Sequence, residues 1–182
     1  VSTGGPRTLE DILPLLPKNF PYPVVIAQHM PASFTNALAK RMNGMCELEV
    51  VEVSHPLKVE RGFVYLGKGG TDLVFGVRPA GIMVMPHPEN KAYLWHPSVD
   101  LMVKSALEHY APENLIAVML TGMGYDGAEA MMQLHQRGGR TIAESEHSAV
   151  VFGMPAELIK RGAATVILDS EKIARQLIEW LQ

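Results

Sequence analysis

Short hydrophobic runs alternate along the chain with segments in which apolar residues recur at helical spacing. Uninterrupted β-favouring runs are typical of strands that are buried on both faces of a parallel sheet. The predicted strands cover 23–27, 48–53, 115–120, 141–143 and 165–168, and the helical patterns cover 9–16, 33–42, 98–110, 127–137, 156–161 and 170–181. This alternation predicts one α/β domain over residues 1–182, doubly wound in a Rossmann-like three-layer arrangement with a mostly parallel sheet.

Three further β runs follow each other without an intervening helix, at 63–66, 73–77 and 81–85. Turns that contain glycine or proline separate them, so we predict that they form an antiparallel hairpin insert. The turn at 67–70 holds Lys68 among glycines, but it lacks the residue spacing of a phosphate-binding P-loop.

The stretch from Leu115 to Met132 passes from a buried strand through a glycine-rich turn into a helix, with Asp126 at the transition. Ligands of parallel α/β folds bind at the carboxyl ends of the strands. Asp126 could therefore belong to a site, although an aspartate that only caps the following helix would occupy the same position.

Two more polar residues occupy comparable positions. His29 follows the strand 23–27, and Ser2 lies in a loop of small residues that opens the first helix. Such a loop can hold a phosphate, or an oxyanion beside a nucleophilic serine. The alternatives are that Ser2 is part of a frayed terminus and that His29 is structural.

Ser2, His29 and Asp126 are together sufficient for acyl transfer. A histidine can take the proton of a serine hydroxyl, and an aspartate can orient the imidazole and stabilise its cation. Backbone N–H groups at a glycine turn can stabilise the oxyanion that forms. The order of the three residues along the chain is no objection, because triads are defined by geometry.

The composition excludes several classes of protein. Hydrophobic residues make up 47% and charged residues 19%, as in globular domains, and a net charge of −3 with scattered signs leaves no nucleic-acid footprint. The apolar runs are too short for membrane insertion, and a single cysteine, Cys46, fits a reducing compartment. His96 and Asp100 could approach each other, but a third metal ligand is missing and Ser98 is a good helix cap, so neither a metal nor a cofactor is expected.

Five motifs occur in one order over nearly the whole chain: VSTGGP, VVIAQHMPASFTNALAKRM, HPSVDLM, AVMLTGMGYDGAEAM and VVFGMP. In this combination they resemble the catalytic domain of the bacterial chemotaxis protein-glutamate methylesterases. The resemblance implies a cytoplasmic serine hydrolase that removes methyl esters from chemoreceptor glutamates and that can also deamidate receptor glutamines. By motif it assigns Ser2 as the nucleophile, His29 as the base and Asp126 as the residue that orients it. Thr3 and Met123 would line the oxyanion site.

The chain departs from the family pattern at two places. His96 stands where the family usually has arginine, and 67–69 replaces an Ala-Pro-Gly turn, with Asp72 at the position of a later histidine. Both places are expected to lie near the site and to affect the substrate. The resemblance also implies a strand just before Ser2, a regulatory receiver domain upstream, and methylated chemoreceptor cytoplasmic domains as partners.

Two other functions stay open on the sequence alone. One is a non-catalytic module of the same fold that docks on receptors, and the other is a phosphate- or nucleotide-binding domain that uses the turns at 2–5 and 121–125. The nucleotide hypothesis lacks an acidic ribose partner at a recognisable spacing. The presence of all three polar residues favours the esterase over the docking module.

Overall fold

The computed structural model describes residues 1–182, and its helices and strands alternate along most of the chain. The helices are α1 (Gly5–Ile12), α2 (Ala32–Asn43), α3 (Val99–Leu107), α4 (Ala128–Gln136), α5 (Met154–Lys160) and α6 (Ser170–Trp180). The strands are β1 (Val24–Ile26), β2 (Glu49–Val53), β3 (Leu57–Lys58), β4 (Phe63–Gly67), β5 (Asp72–Arg78), β6 (Gly81–His87), β7 (Ile116–Met119), β8 (Arg140–Glu144) and β9 (Val166–Leu168). None of the helices has the length and apolarity that spanning a bilayer requires.

The strands form three small sheets, of which two are parallel. The parallel sheets have the orders β1-β4-β2 and β7-β8-β9, and the antiparallel sheet has the order β3-β6-β5. This arrangement confirms the predicted α/β class with mostly parallel sheets.

The predicted boundaries of the antiparallel insert were wrong at one end. The run Phe63–Gly67 is not part of a hairpin, because β4 pairs in parallel with β1 on one side and with β2 on the other. Four of its five residues are buried, as is usual for a strand in the middle of a parallel sheet. The hairpin consists of β5 and β6, and β3 adds to the edge of β6.

Two large hydrophobic clusters pack against opposite faces of the parallel strands. Side chains of α1, α2 and α6 belong to one cluster, and side chains of α3, α4 and α5 belong to the other. The neighbouring residues Ile142 and Ala143 of β8 point into different clusters, as successive residues of a strand must. The result is the three-layer arrangement that the alternation of elements predicted.

The first two residues lie between the two parallel sheets. The amino group of Val1 donates to the carbonyl of Ala27 at 3.1 Å, and the Val1 carbonyl accepts from the N–H of His29 at 2.9 Å. The N–H of Ser2 donates to the carbonyl of Thr121, also at 2.9 Å. The carboxyl ends of β1 and β7 therefore meet at Ser2.

Candidate active site

The backbone of Ser2 is fixed by a tight turn that leads into α1. Its carbonyl accepts from the N–H of Gly5 at 2.8 Å, and Gly4 takes the left-handed conformation with φ of 83° just before α1 begins. The side chain of Thr121 donates to the carbonyl of Thr3 at 2.8 Å. These contacts exclude the alternative that Ser2 belongs to a frayed terminus.

The turn after β7 comes unusually close to Ser2 because it has no side chain at Gly122. A Cβ atom on Gly122 would lie 2.7 Å from the Cβ of Ser2 and 2.4 Å from the Sδ of Met154. The same turn is held from the other side, because the N–H of Gly122 donates to the carbonyl of Val151 at 3.0 Å. Glycine is therefore required for the approach of this turn to the serine.

Asp126 and His29 form a close, buried pair. The Nε2 atom of His29 lies 2.7 Å from Oδ2 of Asp126, whose side chain is only 2% exposed. The same carboxylate accepts from the N–H groups of Val99 at 2.7 Å and Asp100 at 3.0 Å, and from the hydroxyl of Ser98 at 3.3 Å. Asp126 thus binds the otherwise unpaired N–H groups at the start of α3.

Asp126 does not cap the helix that follows it, which was the alternative left open by the sequence. The N-cap residue of α4 is Gly127, with φ of 93° and no side-chain cap. At α3 the predicted cap is confirmed, because the N–H of Leu101 donates to the Ser98 hydroxyl at 3.2 Å. Asp126 adds a carboxylate to that helix start from a distant part of the chain.

The hydrogen bonds of Asp126 keep its side chain ionised. Burial raises the pKa of this carboxyl, but the hydrogen bond from His29 and the N–H donors of Asp100 and Val99 outweigh burial and lower the pKa below its ordinary value. A carboxylate is only an acceptor, so His29 must carry a proton on Nε2. The neutral imidazole then has its free lone pair on Nδ1.

The Nδ1 atom of His29 is buried and has no hydrogen-bond partner within the chain. Buried polar atoms without a partner are rare, and each one calls for an explanation. No hydrogen bond joins this atom to the Ser2 hydroxyl, but catalytic hydrogen bonds are often long in unliganded enzymes and shorten when substrate binds. Chemically, Nδ1 is an acceptor that is available to a nearby proton donor.

Gln28, which the sequence analysis did not single out, links the serine to the histidine. Its side-chain amide donates to the carbonyl of Ser2 at 3.0 Å and to the carbonyl of His29 at 3.1 Å, and the residue is 1% exposed. Gln28 was part of a motif that carried the family resemblance. No local pattern of residues could show that both hydrogens of its amide group fix the site.

Glu144 is a second residue that sequence reasoning missed. Its buried carboxylate accepts from the N–H of Thr121 at 2.7 Å and from the hydroxyl of Ser148 at 2.9 Å. Burial raises the pKa of this carboxyl, and the two donors oppose that effect. Because Thr121 in turn accepts from the N–H of Ser2, Glu144 supports the serine turn from behind.

The backbone N–H groups of Thr3 and Met123, in the two turns that meet at the serine, have no acceptor within the chain. Thr3 follows Ser2 directly, and Met123 follows the closely approaching Gly122. Unpaired N–H groups beside a nucleophile are the usual components of an oxyanion hole. The side chain of Met123 is 69% exposed and so lies at the surface next to these groups.

Asp72 and His96, which belong to the two departures from the family pattern, contact each other. Asp72 is fully buried and accepts from Nδ1 of His96 at 3.1 Å, from the N–H of Ser98 at 3.0 Å and from the N–H of Asn90 at 2.7 Å. Asp100 has a different partner, the N–H of Ala130 at 3.0 Å. No group of three or more potential metal ligands occurs in the chain. The Asp72–His96 pair instead fixes the loop that leads into α3.

Comparison with known proteins assigns the family. The sequence model described as CheB methylesterase matches residues 1–177. The protein named protein-glutamate methylesterase/protein-glutamine glutaminase 3 of Rhodospirillum rubrum is 54% identical over 181 residues, which are 100% of this chain and 49% of that protein. Protein-glutamate methylesterase/protein-glutamine glutaminase 2 of Rhodopseudomonas palustris is also 54% identical, over 98% of this chain and 49% of its own length.

A solved structure agrees with these sequence matches. The crystal structure of the Thermotoga maritima CheB methylesterase catalytic domain superposes with a TM-score of 0.93 at 41% identity, over 98% of this chain and 94% of that one. These matches define an α/β domain with the fold of that catalytic domain. The chain belongs to the CheB methylesterase family. It spans about half the length of the curated relatives that it matches.

Proposed function

We propose that this chain is a catalytic domain that hydrolyses glutamate methyl esters on the cytoplasmic domains of chemoreceptors, with Ser2, His29 and Asp126 as its catalytic triad. The observation that carries the proposal is the buried Asp126–His29 pair. It leaves the lone pair of Nδ1 without a partner, on a residue that Gln28 ties to the backbone of Ser2. Membership in a methylesterase family supports the same reaction.

The proposed reaction begins when His29 Nδ1 takes the proton of the Ser2 hydroxyl and Ser2 Oγ attacks the ester carbonyl carbon. The tetrahedral intermediate collapses and breaks the bond to the methoxy group, which leaves as methanol with the proton from His29. A water molecule then gives a proton to His29 and attacks the acyl-enzyme. Glutamate leaves with a free carboxylate, and Ser2 recovers its proton. Asp126 stays ionised throughout and stabilises the imidazolium.

The N–H groups of Thr3 and Met123 are proposed to bind the oxygen of the tetrahedral intermediate. The same steps convert a glutamine side chain into glutamate, with ammonia as the leaving group in place of methanol. The relatives' names join the methylesterase and glutaminase activities. We therefore propose deamidation of receptor glutamines as a second reaction of the same site.

The experiment is to measure methanol released from methylated chemoreceptor cytoplasmic fragments by this chain and by its Ser2→Ala variant. We expect release by the parent chain and loss of most of it in Ser2→Ala, because the variant lacks the hydroxyl that is proposed to attack the ester. Folded chains that bind receptor fragments but release no methanol would instead support a non-catalytic docking module. Saturable binding of a labelled nucleotide, with no esterase activity, would support a nucleotide-binding domain.

We also propose that an extended apolar segment upstream of Val1 completes this domain. β1 and β7 are edge strands that face each other, and β1 pairs only with β4 while β7 pairs only with β8. A cavity of about 230 Å³ lies between them, and its lining is almost entirely hydrophobic. Val1 already pairs with the residues just after β1, so a segment that precedes it would run into this cavity as a strand.

The test compares this chain with one extended by its native upstream residues. We expect the backbone amides of β1 and β7 to exchange hydrogen more slowly in the extended chain than in this one. A strand between them would pair with the unpaired edge of each. An extension of equal length made of glycine and serine is the control. Equal exchange in all three chains would contradict the proposed strand. A regulatory receiver domain farther upstream, as the family resemblance implies, is part of the same proposal.

A further inference from the structure

The indole ring of Trp95 lies against the face of the proposed catalytic histidine. The ring centroids of Trp95 and His29 are 5.7 Å apart, and the ring planes differ by only 3°. Parallel rings at this separation form an offset stack, which is a favoured arrangement for aromatic pairs. The His29 side chain is 10% exposed, so the contact covers a ring that stands at the rim of the site.

Trp95 is itself held in place from two directions. The ring of Tyr125 meets it edge-on, with centroids 5.0 Å apart and an interplanar angle of 85°. A Cβ atom on Gly124 would come within 2.9 Å of the indole ring, so the missing side chain at Gly124 makes room for it. The next residue, His96, is fixed by the buried carboxylate of Asp72. The position of the indole is therefore determined by its surroundings.

The hydrogen bond to Asp126 fixes only one edge of the imidazole ring. The ring can still tilt about that contact, and any tilt moves the lone pair of Nδ1 on the opposite edge. General-base catalysis depends on the direction of that lone pair, because the proton must transfer within hydrogen-bond distance. A flat contact on the ring face is the kind of contact that restricts tilting.

We propose that Trp95 is a positioning residue that holds the imidazole plane of His29 for proton transfer. The inference rests on the proposed hydrolysis through Ser2 and His29. When His29 takes the proton of Ser2, the indole face also lies next to the resulting imidazolium, and aromatic faces attract cations. Trp95 thus acts through His29 and makes no covalent change of its own.

The experiment measures kcat and KM for a methyl ester substrate with the variants Trp95→Ala, Trp95→Phe and Leu94→Ala. Leu94 is the neighbouring side chain, 73% exposed, and serves as the matched control for the loss of apolar surface. We expect Trp95→Ala to lower kcat by roughly three- to tenfold, with KM nearly unchanged. Trp95→Phe retains a stacking ring and is expected to recover most of kcat, and Leu94→Ala is expected to match the parent chain.

A second readout needs no substrate. The Nε2 proton that His29 shares with Asp126 gives a downfield NMR resonance, which we expect to broaden in Trp95→Ala and to stay sharp in Trp95→Phe and Leu94→Ala. An unchanged kcat and resonance in Trp95→Ala would overturn the proposal. So would a change confined to KM, since that would make Trp95 a substrate contact, and so would equal losses in the Ala and Phe variants.

The two proposals fail in different ways. Ser2→Ala could lose methanol release while Trp95→Ala keeps the kcat and the NMR resonance of the parent chain. That result would support hydrolysis through Ser2 and contradict the positioning role of Trp95. If the parent chain and Ser2→Ala are equally active, the proposed triad falls. In that case the NMR comparison alone decides whether Trp95 controls the His29–Asp126 contact.

Discussion

At the scale of single residues, Asp126 shows how one side chain can join the site to the fold. Its carboxylate holds the imidazole of His29 and also binds the N–H groups of Val99 and Asp100 at the start of α3. The sequence indicated that Asp126 stands at the end of a strand. It could not indicate which helix the carboxylate would cap, because α3 is separated from Asp126 by the whole of β7 and its flanking turns.

The substitution Asp126→Asn tests the importance of the negative charge on the Asp126 carboxylate. An asparagine has the same shape, but its NH₂ group cannot accept from the two N–H donors, and its oxygen no longer carries the charge that fixes the protonated Nε2 of His29. We expect kcat to fall by roughly 10³- to 10⁴-fold, as when a triad aspartate is changed to asparagine. We also expect the free energy of unfolding to fall by about 1–3 kcal/mol, because buried donors lose their acceptor.

Steady-state kinetics and urea unfolding measure the two effects of Asp126→Asn. The control is Asp11→Asn, which changes a carboxylate on α1 that accepts from Ser170 and from no triad residue. We expect Asp11→Asn to keep kcat. Equal kcat values for the two variants would show that the Asp126 charge has no catalytic role.

The residues that sequence reasoning missed share a physical cause. Gln28, Trp95 and Glu144 act through contacts with residues distant in the chain, namely a backbone carbonyl, an imidazole face and a backbone N–H. Ser2, His29 and Asp126 could be selected because each stands at a strand end or a helix start, which is a local property. The support around them depends on tertiary packing, which a local pattern does not encode.

At the scale of elements, the alternation of strands and helices was sufficient to predict the α/β class. It was not sufficient to assign Phe63–Gly67, because a short apolar run reads the same in a hairpin and in the middle of a parallel sheet. The strands with which the run pairs determine its place in the fold. The partners of β4 are β1 and β2, which lie earlier in the chain. The hairpin of β5 and β6 was predictable from its turn at Pro79 and Gly81.

Gly124, in the turn after β7, can be compared with Gly138, which follows α4, because the two glycines differ mainly in their surroundings. Gly124 has φ of 95° and Gly138 has φ of 98°, so alanine is strained at both, at a cost of about 1–2 kcal/mol. A side chain on Gly138 would meet nothing within 4 Å, whereas one on Gly124 would meet Trp95 at 2.9 Å. We expect Gly124→Ala to lower kcat by roughly three- to tenfold because it displaces the indole.

Gly138→Ala is expected to lose about as much stability as Gly124→Ala but to keep the kcat of the parent chain. Thermal unfolding measures the stability of each variant, and steady-state kinetics measures its kcat. A crystal structure or NOE contacts between Trp95 and His29 would show whether the indole has moved. An unchanged kcat in Gly124→Ala, with Trp95 displaced, would contradict the link between this turn and catalysis.

At the scale of the whole molecule, the site stands where the two parallel sheets approach each other. The N–H of Ser2 donates to the carbonyl of Thr121 after β7, and the N–H of His29 after β1 donates to the carbonyl of Val1. The Asp126–His29 pair joins the same two sheets. The geometry of the site therefore depends on the relative position of the two sheets, which no single element determines.

Attack of Ser2 on the substrate can be observed by mass spectrometry of the reaction stopped by acid within one turnover. With a methylated receptor fragment as substrate, we expect a covalent glutamyl ester on the peptide that contains Ser2, formed as methanol appears. The Ser2→Ala variant is expected to form no such ester and to release almost no methanol. Turnover by Ser2→Ala at the parent rate, with no adduct on the parent chain, would show that Ser2 is not the nucleophile.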